Sequence, residues 1–293
     1  MTYKAVVLGA GGQLGRELIR TVPANWQCVP LARADLDIGE PTTVLQRLAE
    51  IEPRLVVNAA AYTAVDQAES DVDEALRILA EGPAHVAAAC GELGARLVQV
   101  STDFVFDGKS SVPYLPGAAP SPLGEYGRSK LLGEEAVQRV LPDALIMRTA
   151  WVYSVYGANF VKTMLRLMAE REQLSVVADQ VGTPTWARGL ADALWRAAER
   201  EALTGIYHWT DAGVCSWYDF AVAIGEEALA LGILSRPVDV RPIPGADYPT
   251  PAQRPSYSVL DKSSSWRDLA LEGRHWRRQL RAMLSEYKET ENG

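Results

Sequence analysis

Five short apolar runs divide the first half of this chain: Ala5–Leu8, Cys28–Leu31, Leu55–Asn58, Arg96–Val100 and Ala144–Met147. Turn residues bound them, and helical patterns stand between them at Gly15–Arg20, Pro41–Glu50 and Ala84–Leu93. A run that stays apolar throughout fits a strand buried on both faces, as in a parallel sheet. Strands alternating with helices predict a doubly wound α/β fold of Rossmann type with right-handed crossovers. From about residue 150 Trp, Tyr and Pro become frequent, with a Pro-rich stretch at Arg236–Pro255, and a smaller mixed lobe is expected. Leu174–Ala178 reads as one more strand of the sheet, and Ala187–Glu201 as a helix returning to the first lobe. The first lobe is therefore drawn as 1–150 plus about 174–204, and the second as about 151–173 and 205–293. The polar tail from Ser285 is expected to fray.

Composition narrows the partners. Apolar residues make up 48 % and charged residues 23 % of 293, which excludes a disordered or fibrous chain. The net charge of −8, without a Lys/Arg block, argues against nucleic acid or an anionic membrane surface. Cys28, Cys90 and Cys215 are odd in number and far apart, as expected for reduced thiols in the cytoplasm. His85, His208 and His275 do not cluster, so no zinc site is expected. No run is long enough for a membrane span, and the N-terminus reads as a first strand.

Between the first strand and first helix lies Gly9-Ala-Gly-Gly12-Gln13-Leu14-Gly15. Gly9 permits a tight turn, Gly12 clears the backbone for a pyrophosphate, and Gly15 allows close helix packing. The helix N-terminus offers free N–H groups to phosphate. This predicts dinucleotide binding. At the tip of the second strand stands Leu31-Ala32-Arg33, with no carboxylate for a ribose 2′-hydroxyl, and Arg33 favours a 2′-phosphate, hence NADPH over NADH. Asp37, further on, is placed to accept from the adenine amino group.

Tyr126 and Lys130, four residues apart, share one helix face. A phenol is a weak acid at neutral pH, and a nearby ammonium favours its phenolate, so the pair is expected to serve as a tuned proton donor for carbonyl reduction. Thr102 follows the strand Arg96–Val100, at the carboxyl edge of the sheet where ligands bind, and its hydroxyl is placed to bond a substrate oxygen. The plain alternatives are a tight turn without ligand, a capping hydroxyl at Thr102 and a half-buried core phenol at Tyr126.

These residues resemble the extended short-chain dehydrogenase/reductase family, over nearly the whole chain. The segments that carry the likeness are Gly-Gln-Leu-Gly at 12–15, Val-Asn-Ala-Ala-Ala-Tyr-Thr-Ala-Val-Asp at 57–66 and Ser-Thr-Asp-Phe-Val-Phe-Asp-Gly at 101–108. Tyr-Gly-Arg-Ser-Lys-Leu-Leu-Gly-Glu at 126–134, Arg-Thr-Ala-Trp-Val-Tyr at 148–153, Asn-Phe-Val-Lys-Thr-Met at 159–164, Asp-Gln-Val-Gly-Thr-Pro-Thr at 179–185 and Tyr-Pro-Thr-Pro-Ala-Gln-Arg-Pro at 248–255 add to it. The resemblance implies reduction of the C4 keto group of a 6-deoxy-L-sugar on a dTDP carrier, dTDP-4-dehydro-L-rhamnose going to dTDP-L-rhamnose, with NADPH or NADH. It implies Tyr126 as proton donor, assisted by Lys130 and Thr102. It implies Gly12, Gln13 and Leu14 at the cofactor pyrophosphate, Asp37 and Ile38 at adenine, and Ala61, Tyr62 and Thr63 near the nicotinamide. It further implies Asp103 and Trp151 on the sugar and Arg254 on the dTDP pyrophosphate. An epimerase or dehydratase that retains NAD⁺, a reductase of another deoxysugar, and a binding protein without chemistry are the alternatives.

Three residues depart from the family pattern. Leu79 stands where relatives carry an Asn that supports a water relay, and Tyr62 where some carry His. Some relatives hold Mg²⁺ through acidic residues at a dimer contact. Glu17 and Asp192 match those positions, but Arg188 replaces an acid, so no metal is expected there. Arg188 is expected to pair with both carboxylates, and the chain to be a monomer or weak homodimer.

Overall fold

The computed structural model describes residues 2–291. In chain order the first part contains β1 (Tyr3–Leu8), α1 (Gln13–Arg20), β2 (Trp26–Leu31), α2 (Pro41–Ile51), β3 (Leu55–Asn58) and the short helices α3 (Val65–Ala68) and α4 (Val72–Leu76). A π-turn over Arg77–Glu81 leads into α5 (Gly82–Leu93), then β4 (Arg96–Thr102), α6 (Glu125–Val140) and β5 (Leu145–Thr149). The remainder contains β6 (Val152–Tyr153), α7 (Phe160–Glu170), β7 (Gln173–Val177), β8 (Val181–Gly182), β9 (Thr185–Trp186), α8 (Ala187–Ala198) and β10 (Gly205–His208). It ends with β11 (Cys215–Ser216), α9 (Trp217–Ala230), β12 (Asp239–Ile243), α10 (Ser263–Leu269) and α11 (Trp276–Glu291).

The central sheet is parallel throughout, in the order β10-β5-β4-β3-β1-β2. Its inner strands are buried along their length, as the apolar runs require: β3 and β5 have no exposed residue. One face is covered by α2, α5 and α6 over a core that includes Val6, Leu48, Val56 and Val86. The other is covered by α1, α8 and α10 over Val7, Leu55, Met147 and Leu194. The strand order reverses between β1 and β3, which opens a crevice at their carboxyl ends. A separate core of Phe220, Ile224, Met164, Leu174 and Leu284 holds the second lobe.

Two expectations about the second half are corrected. Strand β7 does not extend the large sheet but pairs with β12 in a two-stranded parallel sheet. Its burial alternates, Leu174 and Val176 facing the second-lobe core while Gln173 and Ser175 are exposed, which is the pattern of a strand covered on one face. The sixth strand of the large sheet is instead β10, beside β5. Residues 173–177 thus pack on the core of Phe220 and Ile224, and 205–208 form an edge of the large sheet. Within the described residues the tail from Ser285 is helical: α11 continues to Glu291, with Leu284 in the core and Glu286 bound to Arg20 and Arg188. Residues 292 and 293 lie outside the described residues.

Candidate active site

A crevice of about 1080 Å³ opens above the sheet between the two lobes, and every site residue singled out in the sequence lines it. Gly9 forms its floor at φ +76°, and a Cβ there would come within 2.6 Å of the Ala60 backbone nitrogen across the switch point. Gly12 is the N-cap of α1 and donates its N–H to the Gly9 carbonyl at 3.0 Å. Gly15 serves a different contact from the one expected: its missing Cβ clears the backbone of the turn itself, at Gly9 and Ala10. The N-terminus of α1 carries no side-chain cap and no acidic residue in its first turn. Unsatisfied N–H groups and the positive end of the helix dipole therefore face the crevice, an arrangement that suits a phosphate. Leu14 is buried beneath this end, and Gln13 accepts from Asn159 Nδ2 at 2.9 Å.

Beyond β2, Arg33 projects into solvent, its side chain 72 % exposed and paired with Glu74 at 2.9 Å. Asp37 is already engaged: Arg77 binds both its oxygens at 3.0 and 3.1 Å and holds its carboxyl below the usual carboxylate range. Ile38 beside it is buried. Ala61, Tyr62 and Thr63 follow β3 along the opposite wall, and the Tyr62 hydroxyl donates to Asp71 at 3.1 Å. Asn58 shapes this loop, accepting from Ala60 N while donating to Gln99 on the next strand at 2.8 Å.

Thr102 ends β4 and meets Tyr126 of α6. Its hydroxyl caps the following turn, accepting from Phe104 N at 3.2 Å, and donates to Asp103 Oδ1 at 3.1 Å. The Thr102 hydroxyl also acts on the Tyr126 phenol, favouring its ionised form, and the Tyr126 ring meets Phe104 edge-on at 5.4 Å. Asp103 is almost fully buried under this group, and burial pushes its carboxyl up to about 6.

Lys130 lies one turn further along α6, buried, with Nζ donating to the Val100 carbonyl at 2.6 Å. Burial pushes its ammonium down to about 8, while the charge of Glu134 holds it up. The expected tuning of the phenol by Lys130 is not the dominant effect. Burial instead pushes Tyr126 up to about 12, partly offset by the Thr102 hydroxyl, and the Asp103 charge adds to the rise.

Two glycines seat α6 at this height. A Cβ at Gly127 would run into the Phe104 carbonyl, and one at Gly133 into the Leu79 carbonyl. Leu79 itself is a buried core residue of the π-turn against which α6 packs.

Trp151 adopts φ +48°, unusual for a large side chain, and stacks on Trp217 with centroids 3.5 Å apart and planes 8° from parallel. A Cβ at Gly182 would collide with the Trp151 ring, so strand β8 supports its outer edge. Arg254 reaches the crevice from the 248–255 loop but is held by Asp66: Nη1 and Nη2 lie 3.1 and 2.9 Å from the two carboxylate oxygens. Asp66 also accepts from Ala252 N, so the two lobes are clasped at the mouth of the crevice. Asp66 and Asn159 stand in segments that carry the family likeness, but neither they nor Trp217 were given a site role from sequence. Trp217 and Asn159 belong to the second lobe and reach the first only through the tertiary fold.

Away from the crevice, Glu17 is fully buried and accepts from Ser154 Oγ at 2.9 Å. Arg188 binds Glu17 at 3.2 Å, as expected, but its second partner is Glu286 at 2.6 Å rather than Asp192. Burial raises the Asp192 carboxyl, and the Arg188 charge acts on it without an ion pair.

The parallel sheet, the uncapped first helix and the Thr–Tyr–Lys group define a two-lobed Rossmann-type protein of the extended short-chain dehydrogenase/reductase class. Residues 3–289 match the family model described as RmlD substrate binding domain. A dTDP-4-dehydrorhamnose reductase of Burkholderia thailandensis is 45 % identical, covering 94 % of this chain and 95 % of the relative. A probable dTDP-4,6-dihydroxy-2-methyloxan-3-one 4-ketoreductase of Streptomyces antibioticus is 42 % identical, with 94 % and 92 % covered. The crystal structure of dTDP-4-dehydrorhamnose reductase from Bacillus anthracis in complex with NADP superposes with a TM-score of 0.92 at 37 % identity, covering 98 % of this chain and all of that one. The chain belongs to the dTDP-4-dehydrorhamnose reductase family.

Proposed function

We propose that this protein reduces the C4 keto group of dTDP-4-dehydro-L-rhamnose to give dTDP-L-rhamnose, using NADPH. The observation that carries this reading is the convergence of Thr102, Tyr126 and Lys130 on one crevice with the uncapped end of α1. The cofactor supplies hydride when bound. Gly9, Gly12, Gln13 and Leu14 hold its pyrophosphate against the helix N-terminus. Arg33 takes the 2′-phosphate, since its exposed pair with Glu74 is a weak competitor. Asp37 and Ile38 border adenine, and Ala61, Tyr62 and Thr63 line the nicotinamide side.

The high phenol pKa keeps a proton on Tyr126 at neutral pH, as a donor requires. When that proton passes to the C4 oxygen, Thr102 and the Lys130 ammonium stabilise the phenolate left behind. Trp151, backed by Trp217, forms an apolar wall for the deoxysugar. Arg254 offers its guanidinium fork to the dTDP pyrophosphate, beside or in exchange for Asp66, and Asp103 supports the sugar contact through Thr102. No Mg²⁺ is assigned at Glu17, where Arg188 already supplies the cation. The protein is placed in the cytoplasm, in keeping with its free cysteines.

A reductase of another dTDP-linked 4-keto-6-deoxysugar is the second reading, favoured by the Streptomyces antibioticus relative. The test is NADPH oxidation by cofactor-free protein with dTDP-4-dehydro-L-rhamnose. Turnover is expected, and Tyr126→Phe is expected to lose about two to four orders of magnitude in rate. Normal turnover by Tyr126→Phe removes the catalytic reading. Release of oxidised cofactor at each cycle excludes an epimerase.

A further inference from the structure

The same helix that carries Tyr126 and Lys130 carries, besides Lys130, a second buried charged side chain, which the reaction does not use. Glu134 lies one turn beyond Lys130, hence on the same face of α6. Arg148 reaches it from β5: Nε and Nη2 bind the carboxylate at 2.9 and 2.6 Å, and both side chains are 2 % exposed. Arg148 pairs in register with Ser101 on β4, the residue after the Val100 whose carbonyl receives Lys130. Its guanidinium is enclosed by the Phe106 ring at 5.1 Å and the Pro116 carbonyl at 3.4 Å. Isolated buried ion pairs contribute little net stability, since desolvation offsets their attraction. A pair this enclosed, attached to the catalytic helix on one side and to the neighbouring strand on the other, calls for a further role.

We propose that the Glu134–Arg148 pair positions the catalytic group: its carboxylate keeps Lys130 a charged ammonium inside the protein, and its fork fixes that carboxylate against the sheet. This rests on the catalytic reading given above. The titratable and charged groups of the packed elements are few. From its own helix comes Glu134, whose charge acts on Lys130; Asp103, at the end of β4, acts on Tyr126, and Arg148 of β5 binds Glu134. On β10, His208 lies within reach of the Arg148 charge; burial and that charge push it down to about 3, leaving it neutral. The π-turn presents the apolar Ile78 and Leu79. Glu134 is the carboxylate whose charge raises Lys130 against its burial. Without it the ammonium loses its proton at lower pH.

The experiment is the pH profile of kcat/KM for wild type, Glu134→Asp, Glu134→Gln and the double variant Glu134→Gln/Arg148→Met, beside Tyr126→Phe. The double variant removes the unpaired guanidinium that Glu134→Gln leaves buried. Both carboxylate-free variants are expected to move the alkaline limb about one unit toward acid, a roughly tenfold loss of kcat/KM above the limb. Activity on the acid side should stay within a few-fold, and Glu134→Asp should keep the wild-type limb. A folded double variant with its limb at the wild-type position overturns the proposal and makes the pair a structural tie. If Tyr126→Phe is inactive in the same assay, that result leaves the catalytic reading standing; if Tyr126→Phe turns over normally, the reading itself has failed.

Discussion

At the residue scale the site is governed by burial. Lys130 and Tyr126 are displaced in opposite directions, down to about 8 and up to about 12, because both charged forms lose hydration. The proposed reaction needs phenol and ammonium together, so on that reading the window is set by Lys130. We expect kcat/KM to be level below about pH 8 and to fall tenfold per unit above it, as the ammonium is lost. A profile level to pH 10 would contradict this. Arg33→Ala should weaken NADPH binding more than NADH binding, by about tenfold or more given the strength of charge-assisted bonds; equal loss for both cofactors would remove the 2′-phosphate contact.

The Thr–Tyr–Lys group and the glycine turn were legible in the sequence because spacing along one strand or helix decides them. The occupied state of Asp37 and Arg254 was not. Their partners, Arg77 and Asp66, lie 40 and 188 positions away, and only the fold brings them together.

At the element scale the placement of α6 is what makes the site. Most helix-interior glycines gain about 0.5–1 kcal/mol on becoming alanine. Gly91 of α5, whose added Cβ meets only a Leu141 methyl at 3.8 Å, should behave so. Gly127 should reverse the sign: the Phe104 carbonyl blocks a Cβ, and Gly127→Ala should cost about 1–3 kcal/mol. It should also lower kcat, since the helix that carries Tyr126 must move. Thermal unfolding of the two variants side by side tests this; stabilisation of both would mean that α6 is not closely seated.

The strands of the first lobe could be read from the sequence because double burial leaves a continuous apolar run. Strand β7 belongs to a small sheet because its pattern alternates, Leu174 and Val176 in with Gln173 and Ser175 out, a one-sided burial that five residues of sequence do not distinguish from a doubly buried strand. Strand β10 was missed because it lies at the sheet edge, where three of its four residues are only partly buried.

At the scale of the whole molecule, two seams join the lobes: the Asp66–Arg254 clasp over the crevice and the Glu17–Arg188–Glu286 chain behind α1. The second leaves a fully buried carboxylate dependent on Arg188. Arg188→Ala should therefore lower stability by about 3 kcal/mol, the cost of stranding a buried charge. Chelation by EDTA, or added Mg²⁺, should leave the melting temperature of the wild type unchanged; a rise with Mg²⁺ would show that a metal binds despite Arg188.

The central claim is that hydride and proton are delivered to one carbonyl carbon and its oxygen, above Tyr126, and that the cofactor then leaves. Turnover with NADPH deuterated at the transferring carbon, followed by NMR of the sugar nucleotide, tests it most directly. Deuterium is expected at C4 of the product, one equivalent per NADPH consumed, with oxidised cofactor free in solution. Product formed without deuterium at C4, or a cofactor that stays bound and is regenerated, would contradict it.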